Sequence, residues 1–570
     1  MKISTKASRI IVAAIIIISL CVSFFYVAVK QGYHEDELLA FNLANSSKQL
    51  STDGGWNTPE DFSEYLTAGE HRFDYSNAYQ NQIIDASHPP FWYFLVHTVC
   101  SFFPGVFSKY LIFGINIVMM VCSLILLYLI GKRVTGNNLY ALIALGGYAL
   151  SIACITTTIY LRMYATLVFF ALAFLYITLV IYDRKKIKPT DYIFMFLIVF
   201  FGVLTQYYFL VFAGLCGFVY FIFCIKDKKI RPLIIYILTA AAAFGCAFAF
   251  YPYIIENLFG GNRGLGSLSI NIDTITIITY VGYKLMTYFE ILAKELFSGQ
   301  LWLLIICALG MVGFFVYFRF VKKIKLPRKA FFIMVPGIIT FGAIALVSPF
   351  NSDRYVMTSL PMLSMMTIFA VIKIFTYFSK NRGELASVCA VALLSVLGLI
   401  FIRPYYIYGK TNLYQPKTKD CLFVGTEIKE WNKCIDKFMQ YDETMIVQTS
   451  KLSPTLTTEL EDFANSRGVI TNGKIKGFVD GYMTSGMLEY NAHDSLENIK
   501  GDEKLNSLSE ITVYISRIAD QKAVSDYIKQ NTGLKNSELI QADCDFNDFY
   551  NWYDYFVNTE SYCNVYRFYK

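Results

Sequence analysis

The chain has 570 residues, of which 55% are apolar and only 16% are charged, and its formal net charge is +7. Soluble proteins carry roughly 25% charged residues, so this composition excludes a protein that is soluble throughout. The positive charge does not indicate nucleic-acid binding, because most Lys and Arg residues form short clusters between apolar runs, where membrane topology explains them.

Almost all of the long apolar runs lie in residues 1–408. A helix that crosses a bilayer needs roughly 20 apolar residues, so the runs predict an α-helical polytopic membrane region. The first run starts with basic residues as a signal peptide does, but it is long and has no clear cleavage site, so we expect a retained anchor. The run 190–225 is too long for one helix and is predicted to break at Thr205 and Gln206. We predict eleven spans, near residues 9–29, 108–131, 139–158, 161–182, 190–205, 207–225, 231–254, 300–320, 329–348, 355–378 and 385–403.

The basic clusters predict the orientation of these spans, because Lys and Arg favour the cytoplasmic side of short loops. Clusters occur at residues 2–9, 132–133, 184–188, 226–231, 319–329 and 380–382. All of them lie in the cytoplasm only if the short apolar run 91–103, which follows Pro89 and Pro90, is a helix at the outer membrane surface that does not cross. The N-terminus is then cytoplasmic, the loops 30–107 and 256–299 are outside, and the chain leaves the last span on the outer side.

Polar side chains that suit catalysis collect on this predicted outer face. Four of the five His residues lie in loop 30–107, together with the acidic run 35–37. That run is also compatible with a solvated helix end, and the Pro pair with a helix start. Arg162 and Arg354 are compatible with side chains that reach the membrane surface. They oppose the positive-inside bias, however, and an Arg beside the free N–H groups of a helix N-terminus suits a phosphate.

Short motifs follow one another on the outer side of this topology. They are G-Y-H-E-D-E-L at 32–38, S-H-P-P-F-W-Y at 87–93, L-R-M-Y at 161–164, L-T-Q-Y-Y-F at 204–209 and S-D-R-Y at 352–355. With these motifs, residues 1–408 resemble the GT-C glycosyltransferases, in the polytopic bacterial branch related to protein O-mannosyltransferases and aminoarabinose transferases. Two positions depart from that family: Gln206 stands where His is frequent, and Thr156–Thr158 stand where an acidic residue is frequent.

The resemblance implies transfer of a sugar from a polyprenyl-phosphate donor to an extracytoplasmic acceptor, which is a protein, a glycan or a wall polymer. It implies a one-step inverting reaction with a first-loop carboxylate, foremost Asp36, as the base. An Arg is expected to hold the charge that develops on the leaving phosphate. The candidate residues are Asp36, Glu37, Asp85 and His88 for catalysis, Arg354, Arg162 and Tyr355 for the donor phosphate, and Tyr164, Gln206, Tyr207 and His97 for substrate binding.

Two other function classes stay open at this point. A transporter or flippase of lipid-linked sugars more often buries ionisable residues at the middle of the membrane, whereas these spans are nearly free of them. A non-catalytic cell-envelope membrane protein makes no demand on Asp36. No cofactor is assigned, although a divalent metal remains an option with Asp36, Asp85 and His88 as ligands; their spacing is not that of a zinc site.

Residues 409–570 have the composition of a soluble domain, which the topology places outside the membrane. Apolar β-type runs occur at Cys421–Val424, Met445–Val447, Ile511–Ile515 and Val565–Phe568, with helical stretches near 427–439, 453–465 and 520–531. This alternation predicts an α/β domain, which serves as an accessory cover or an acceptor-binding module. Cys421, Cys434, Cys544 and Cys563 either form disulfides, with three pairings available, or remain free thiols.

Overall fold

The protein consists of a helical bundle, formed by residues up to 401, and a small α/β domain, formed by residues from 418 onward. Apolar side chains form one large core through the bundle and another within the sheet of the second domain. The computed structural model describes residues 3–30, 32–46, 48–259, 274–323, 326–348, 352–379, 382–401, 418–426, 431, 434–451, 453–454, 470–471, 474–475, 494–545 and 562–570. The predicted boundary between residues 408 and 409 lies outside these described residues.

The helices of the bundle follow each other with short connections. A π-helical turn, Tyr317–Val321, continues the fifteenth helix, and a 3-10 turn, Asp353–Tyr355, precedes the seventeenth. The helices are α1 Thr5–Val29, α2 Glu35–Asn45, α3 Pro59–Leu66, α4 Tyr75–Asp85, α5 Phe91–Phe102, α6 Lys109–Thr135, α7 Asn138–Ala149, α8 Ile152–Ile159, α9 Tyr164–Asp183, α10 Pro189–Val203, α11 Tyr208–Lys226, α12 Ile230–Phe250, α13 Ile254–Phe259, α14 Thr274–Phe297, α15 Leu301–Val316, α16 Arg328–Val347, α17 Leu360–Ser379 and α18 Gly383–Phe401.

Within the described residues, 9 helices are long and apolar enough to cross a membrane, namely α1, α6, α9, α11, α12, α15 with its π-helical turn, α16, α17 and α18. A further span is formed if α7 and α8, which meet at a bend of 55°, cross together. The remaining predicted span corresponds to α10, which has only 15 residues. The predicted break at Thr205 and Gln206 is confirmed, because α10 ends at Val203 and α11 begins at Tyr208.

Two helices begin later than the sequence predicts: α9 begins at Tyr164 instead of near residue 161, and α17 at Leu360 instead of near residue 355. Arg162 lies in the break between α8 and α9, and Arg354 lies in the 3-10 turn before α17. Arg162 therefore lies outside the helix that was predicted to include it, and Arg354 is separated from its helix by the residues between the 3-10 turn and Leu360. For α17 the physical reason is Pro361, which fits the first turn of a helix but would disrupt its interior.

The first loop is largely helical and contains α2 to α5. His34 caps α2 together with Glu37 in a reciprocal capping arrangement, and Thr58 caps α3 in the same way. The predicted surface helix at 91–103 is α5, whose 12 residues are too few to cross a bilayer. It buries Trp92 and Tyr93 completely, so this loop forms a packed layer on the end of the bundle.

The C-terminal domain has a six-stranded mixed sheet with the strand order β1-β3-β2-β6-β8-β7. Its strands β2 and β3, and β2 and β6, are parallel, whereas β8 is antiparallel to both β6 and β7. The strands are β1 Trp56–Asn57, β2 Asp420–Gly425, β3 Glu443–Gln448, β4 Ile470–Thr471, β5 Lys474–Ile475, β6 Glu510–Ser516, β7 Asn536–Asp545 and β8 Tyr562–Tyr569; the helices are α19 Ile435–Phe438, α20 Glu503–Ser507 and α21 Gln521–Asn531.

The predicted α/β character of this domain is confirmed by its strands and by α21. Each predicted β-type run lies inside one of the strands β2, β3, β6 and β8. Most of the predicted helix 453–465 and part of the predicted helix 427–439 lie outside the described residues. Cys421, Cys434 and Cys563 are buried, and Cys421 and Cys434 are free thiols.

The first loop and the C-terminal domain form one packed unit, which the sequence did not predict. Strand β1 comes from the loop and pairs antiparallel with β3, with Trp56 opposite Met445. The ring of Trp56 packs under the Lys504 ammonium group at 4.1 Å, and Phe62 of α3 packs on Phe438. The loop and the C-terminal domain therefore lie on the same side of the bundle.

Candidate active site

Three interruptions of the helical bundle meet at one place: the start of α2, the break between α8 and α9, and the 3-10 turn before α17. Asp36, in the first turn of α2, accepts a hydrogen bond from the Tyr160 hydroxyl at 2.8 Å through Oδ2 and forms an ion pair with Arg354 through the same oxygen. Arg354 also donates to the Tyr160 hydroxyl at 3.2 Å. Arg162 donates to the main-chain carbonyl oxygen of Asp36 at 2.9 Å. A carboxylate and two guanidinium groups are thus collected at the helix ends.

The Asp36–Arg354 pair is accessible to a ligand. The Asp36 side chain is 24% exposed and that of Arg354 is 14% exposed. Burial alone raises the pKa of Asp36, but the charges of Arg354 and Arg162 lower it by more, so this pKa lies well below its usual range. In this arrangement Asp36 is ionised and is a weak base.

The next residue, Glu37, faces the interior of the protein. Its carboxylate forms an ion pair with Lys30, and both side chains are fully buried. It also accepts hydrogen bonds from the main-chain N–H groups of Leu161 and His34, each at 2.8 Å. Glu37 therefore connects the end of α1, the start of α2 and the break that carries Arg162, which is a structural role.

Asp85 and His88 form a second polar pair, after the end of α4. The His88 Nδ1 atom lies 3.1 Å from the Asp85 Oδ2 atom, and both side chains are partly exposed. The ring of Tyr93 lies 6.4 Å from the ring of His88. The Tyr93 hydroxyl group lies close enough to both Arg162 and Asp85 for their charges to act on it. The first-loop candidates from both motifs are therefore brought to one region.

Aromatic rings border the Asp36–Arg354 pair. The Tyr164 ring stacks on that of Tyr160 with centroids 5.7 Å apart and planes 14° apart. The Arg354 guanidinium lies over the Tyr355 ring, 5.1 Å from its centroid, and Tyr355 meets Tyr208 edge to face at 5.8 Å. These rings give the site an apolar wall beside its charged groups.

The break between α10 and α11 is hydrogen-bonded to the start of α5. The Phe91 N–H group donates to the Leu204 carbonyl oxygen at 2.9 Å. The Gln206 side chain accepts from the N–H group of Tyr207 at 2.6 Å, and the Tyr207 hydroxyl accepts from Asn257 at 3.0 Å. Gln206 therefore shapes its own break, and Tyr207 is held by the segment that follows α12.

His97 lies away from this cluster, at the opposite end of α2. Its side chain is fully buried, and its Nδ1 atom is 3.2 Å from Oδ1 of Asn45, the last residue of α2. The Tyr75 ring packs against it at 5.3 Å, and burial lowers the pKa of the imidazole. These contacts give His97 a packing role between the helices of the first loop.

The proposed metal ligands do not gather into one site in the described part of the chain, where no group of three or more His, Cys, Asp and Glu residues is arranged to hold a metal ion. Asp36 is paired with Arg354, and Asp85 with His88. A guanidinium group beside the Asp36 carboxylate opposes the binding of a cation at that oxygen.

The candidates chosen from the sequence omitted Lys30 and Tyr160, although two signals pointed to them. Lys30 ends the first span on the side that is predicted to be extracytoplasmic, where a basic residue opposes the topology just as Arg162 and Arg354 do. Lys109 begins α6 on that side and donates to the Lys30 carbonyl oxygen. Tyr160 immediately precedes the motif at 161–164.

Several solved structures have a similar fold. ArnT from Cupriavidus metallidurans bound to undecaprenyl phosphate matches with a TM-score of 0.50 at 10% sequence identity, over 97% of this chain and 97% of that chain. ArnT from the same organism in the apo state gives a TM-score of 0.43 at 10% identity, over 95% and 97% of the two chains. The oligosaccharyltransferase of Archaeoglobus fulgidus in complex with zinc and sulfate gives 0.39 at 11% identity, over 88% and 68%.

The similarity is found in the structure alone. No protein-family model and no curated protein matches the sequence. The match with ArnT over almost the whole chain confirms the predicted fold, a GT-C-like helical membrane bundle with a C-terminal α/β domain.

Proposed function

We propose that this protein is a membrane glycosyltransferase that moves a sugar from a polyprenyl-phosphate donor to an acceptor outside the cytoplasm. The observation that carries the proposal is the meeting of the Asp36 carboxylate with Arg354 and Arg162 at an accessible end of the bundle. A proton acceptor beside anion-binding groups is what displacement of a phosphate leaving group needs. The fold similarity to ArnT, whose structure contains undecaprenyl phosphate, supports this donor class.

Arg354 is the proposed ligand of the donor phosphate, and Arg162 supports it. Arg354 is the more accessible of the two, because Arg162 is only 3% exposed and is bound to the Asp36 carbonyl oxygen. The planar guanidinium group matches two phosphate oxygens at once. Tyr355, on which Arg354 lies, offers an apolar surface to the first units of a polyprenyl chain.

The proposed reaction is a single displacement with inversion at the anomeric carbon. The acceptor hydroxyl oxygen forms a bond to the anomeric carbon while the bond from that carbon to the phosphate oxygen breaks. The electron pair leaves with the polyprenyl phosphate, whose charge is held by Arg354. The acceptor proton passes to a carboxylate, for which Asp36 is the first candidate; Asp85 and His88 border the same region and can orient the acceptor.

The Asp36–Arg354 ion pair predicts an order of events: the donor binds first, and only then does Asp36 become an effective base. Arg354 cannot use the same N–H groups for Asp36 and for a phosphate, so the donor must draw Arg354 away. When the guanidinium charge is shared with the phosphate, the pKa of Asp36 rises toward its usual range. Asp36 then becomes a better base in the donor complex than in the free protein.

We place this site on the extracytoplasmic side, in a multi-pass protein of the cell membrane with a cytoplasmic N-terminus. Only this orientation keeps every basic cluster inside. The C-terminal domain lies on the side of the site because β1 of the first loop belongs to its sheet. We propose that this domain covers the loop that carries Asp36 and contributes to acceptor binding.

The donor site is tested by direct binding of undecaprenyl phosphate to the purified protein in detergent. A hydrogen bond to a charged group contributes roughly 1.5–3 kcal/mol, so Arg354→Ala is expected to weaken binding by about 10–150-fold. Arg354→Lys should recover only part of this loss, because Lys offers a point charge in place of a planar fork. Arg72→Ala is the control, since Arg72 lies in the first loop, which also carries Asp36, and its side chain donates to the Ser101 carbonyl oxygen at 2.8 Å.

The result separates the two arginines. If Arg354→Ala binds normally while Arg162→Ala does not, the phosphate ligand is Arg162. If both variants bind undecaprenyl phosphate as the unmodified protein does, neither arginine is the phosphate ligand. If the unmodified protein itself does not bind undecaprenyl phosphate, the polyprenyl-phosphate donor is excluded.

A further inference from the structure

Glu295, near the end of α14, is a buried acidic residue that the proposed reaction does not use. It is 1% exposed, and neither of its carboxylate oxygens has a hydrogen-bond partner among the described protein atoms. An ionised carboxylate without donors is costly to bury, by several kcal/mol. The surroundings of Glu295 therefore favour its neutral form.

The groups around Glu295 come from several elements and carry little positive charge. Thr156 of α8 and Tyr148 of α7 lie close by, and the Thr156 hydroxyl group faces the carboxyl group without reaching an ordinary hydrogen-bond length. Asp353 faces it from the 3-10 turn, and Lys294 precedes it on its own helix. Burial and the nearby Asp353 carboxylate raise the pKa of Glu295 well above its usual range, and Lys294 and the Thr156 hydroxyl group only partly offset them.

Glu295 also lines a cavity of about 50 Å³, which lies between the bend of α7 and α8 and the helices α14, α17 and α18. Hydroxyl groups border it, among them those of Ser151, Ser298 and Ser364. A water molecule needs roughly 10–15 Å³ of such space and several polar partners. The lining is mostly apolar, but the cavity is large enough for water, and Glu295 and these hydroxyl groups are the polar partners that it offers.

The position of Glu295 connects it to the candidate active site. Thr156 lies one helical turn before Tyr160, whose N–H group donates to the Thr156 carbonyl oxygen at 3.0 Å. Asp353 immediately precedes Arg354. The carboxyl group thus lies between the two segments that bring Tyr160 and Arg354 to Asp36.

We propose that Glu295 is a positioning residue of the active site: as a neutral carboxyl group between Thr156 and Asp353, with the adjoining cavity as its source of water, it holds α8 and the Arg354 turn in place. Glu295 touches neither substrate nor reacting atoms in this role, and its charge is not needed. The activity test of this inference rests on the proposed function, whereas the melting test does not.

The first test compares the activity of two substitutions. Glu295→Gln keeps the shape and the hydrogen-bonding groups of a neutral carboxyl, so donor KM and kcat should stay within about twofold of the unmodified protein. Glu295→Ala removes them and should lower kcat/KM by about tenfold, in the range seen for residues that act through others. Glu290→Gln, a half-buried acid on the same helix, is the matched control. A Glu295→Gln protein as impaired as Glu295→Ala would mean that the charge is required and would overturn the proposal, as would full activity in Glu295→Ala.

The second test needs no donor and remains decisive where Glu295→Ala fails to fold. In the folded state Glu295 keeps a proton that the unfolded chain releases above about pH 4.3. Stability is then lost as the pH rises from that value toward the folded-state pKa. The melting temperature of the unmodified protein should therefore fall between pH 5 and 8 relative to that of Glu295→Gln. Parallel melting curves for the two proteins would show an ionised Glu295 and overturn the proposal, even where undecaprenyl phosphate fails to bind and the proposed function itself is wrong.

Discussion

Two ion pairs start from neighbouring residues of one helical turn, yet they differ in almost every physical respect. The Asp36–Arg354 pair is partly exposed, and its partners also contact Tyr160. The Glu37–Lys30 pair is fully buried, and Glu37 binds two main-chain N–H groups besides. The sequence offered both acids as catalytic candidates.

The difference teaches that catalytic capacity depends on whether a charge can change partners. Breaking a buried pair leaves an uncompensated charge in a medium of low dielectric constant, which costs several kcal/mol. An accessible pair can be opened by an incoming anion, which replaces one carboxylate with another negative group at little cost. The exposed pair therefore suits chemistry, and the buried pair suits architecture.

The largest expected effect is on turnover, when Asp36 loses its charge. Asp36→Asn should lower sugar transfer by at least about 10²-fold, the usual contribution of a general base, while the melting temperature stays close to that of the unmodified protein. Because the substitution frees Arg354, it should also strengthen the binding of undecaprenyl phosphate, by up to about tenfold. Transfer assays and binding measurements check both effects.

Glu60→Gln is the control for Asp36→Asn in both measurements, since Glu60 is an exposed carboxylate in the first turn of α3. Near-normal transfer by Asp36→Asn would remove Asp36 from the base role and leave Asp85 with His88 as the pair to test. Weaker donor binding in this variant would contradict the competition between Asp36 and the phosphate.

The next effect is on stability, when the buried pair is broken. Glu37→Gln leaves the Lys30 ammonium group buried without its counter-ion, and it should lower the free energy of unfolding by about 3–5 kcal/mol. Thermal unfolding in detergent measures this loss. The double variant Lys30→Met, Glu37→Gln should recover part of it, because the uncompensated charge is gone. If Glu37→Gln melts normally but does not transfer sugar, Glu37 is catalytic after all, as the sequence suggested.

The features that could be predicted from the sequence are those that depend on a local pattern of residues. Apolar runs and basic clusters gave the spans, and the polar pair Thr205 and Gln206 marked the break between α10 and α11. The four β-type runs of the C-terminal domain became strands, because a short, continuous apolar run is a local signal of a buried strand. The motifs also selected most of the residues that meet at the site.

Partners that are distant in the chain escaped prediction, because tertiary packing alone brings them together. Arg354 meets Asp36 across 318 positions, and no periodicity in the sequence encodes that contact. Strand β1 has only two residues, too few to give an alternating pattern, and exists because β3 offers it an edge. Glu295 lies on a helix with mixed polarity, where an acid normally indicates a solvated face.

The smallest effect should come from Tyr160, which belongs to the exposed pair without carrying charge. Tyr160→Phe removes one neutral hydroxyl whose hydrogen bond to Asp36 measures 2.8 Å. Such a bond contributes roughly 0.5–1.5 kcal/mol, so transfer should fall by about 2–13-fold. The hydrogen bond also favours the ionised form of Asp36 and lowers the pKa of its carboxyl group; without it that pKa rises, and the acidic limb of the pH–rate profile should move to higher pH. Tyr164→Phe, which keeps the ring stacked on Tyr160, should leave this limb in place. An acidic limb that moves to lower pH in Tyr160→Phe, or that moves equally in both variants, would show that the limb reports a group other than Asp36.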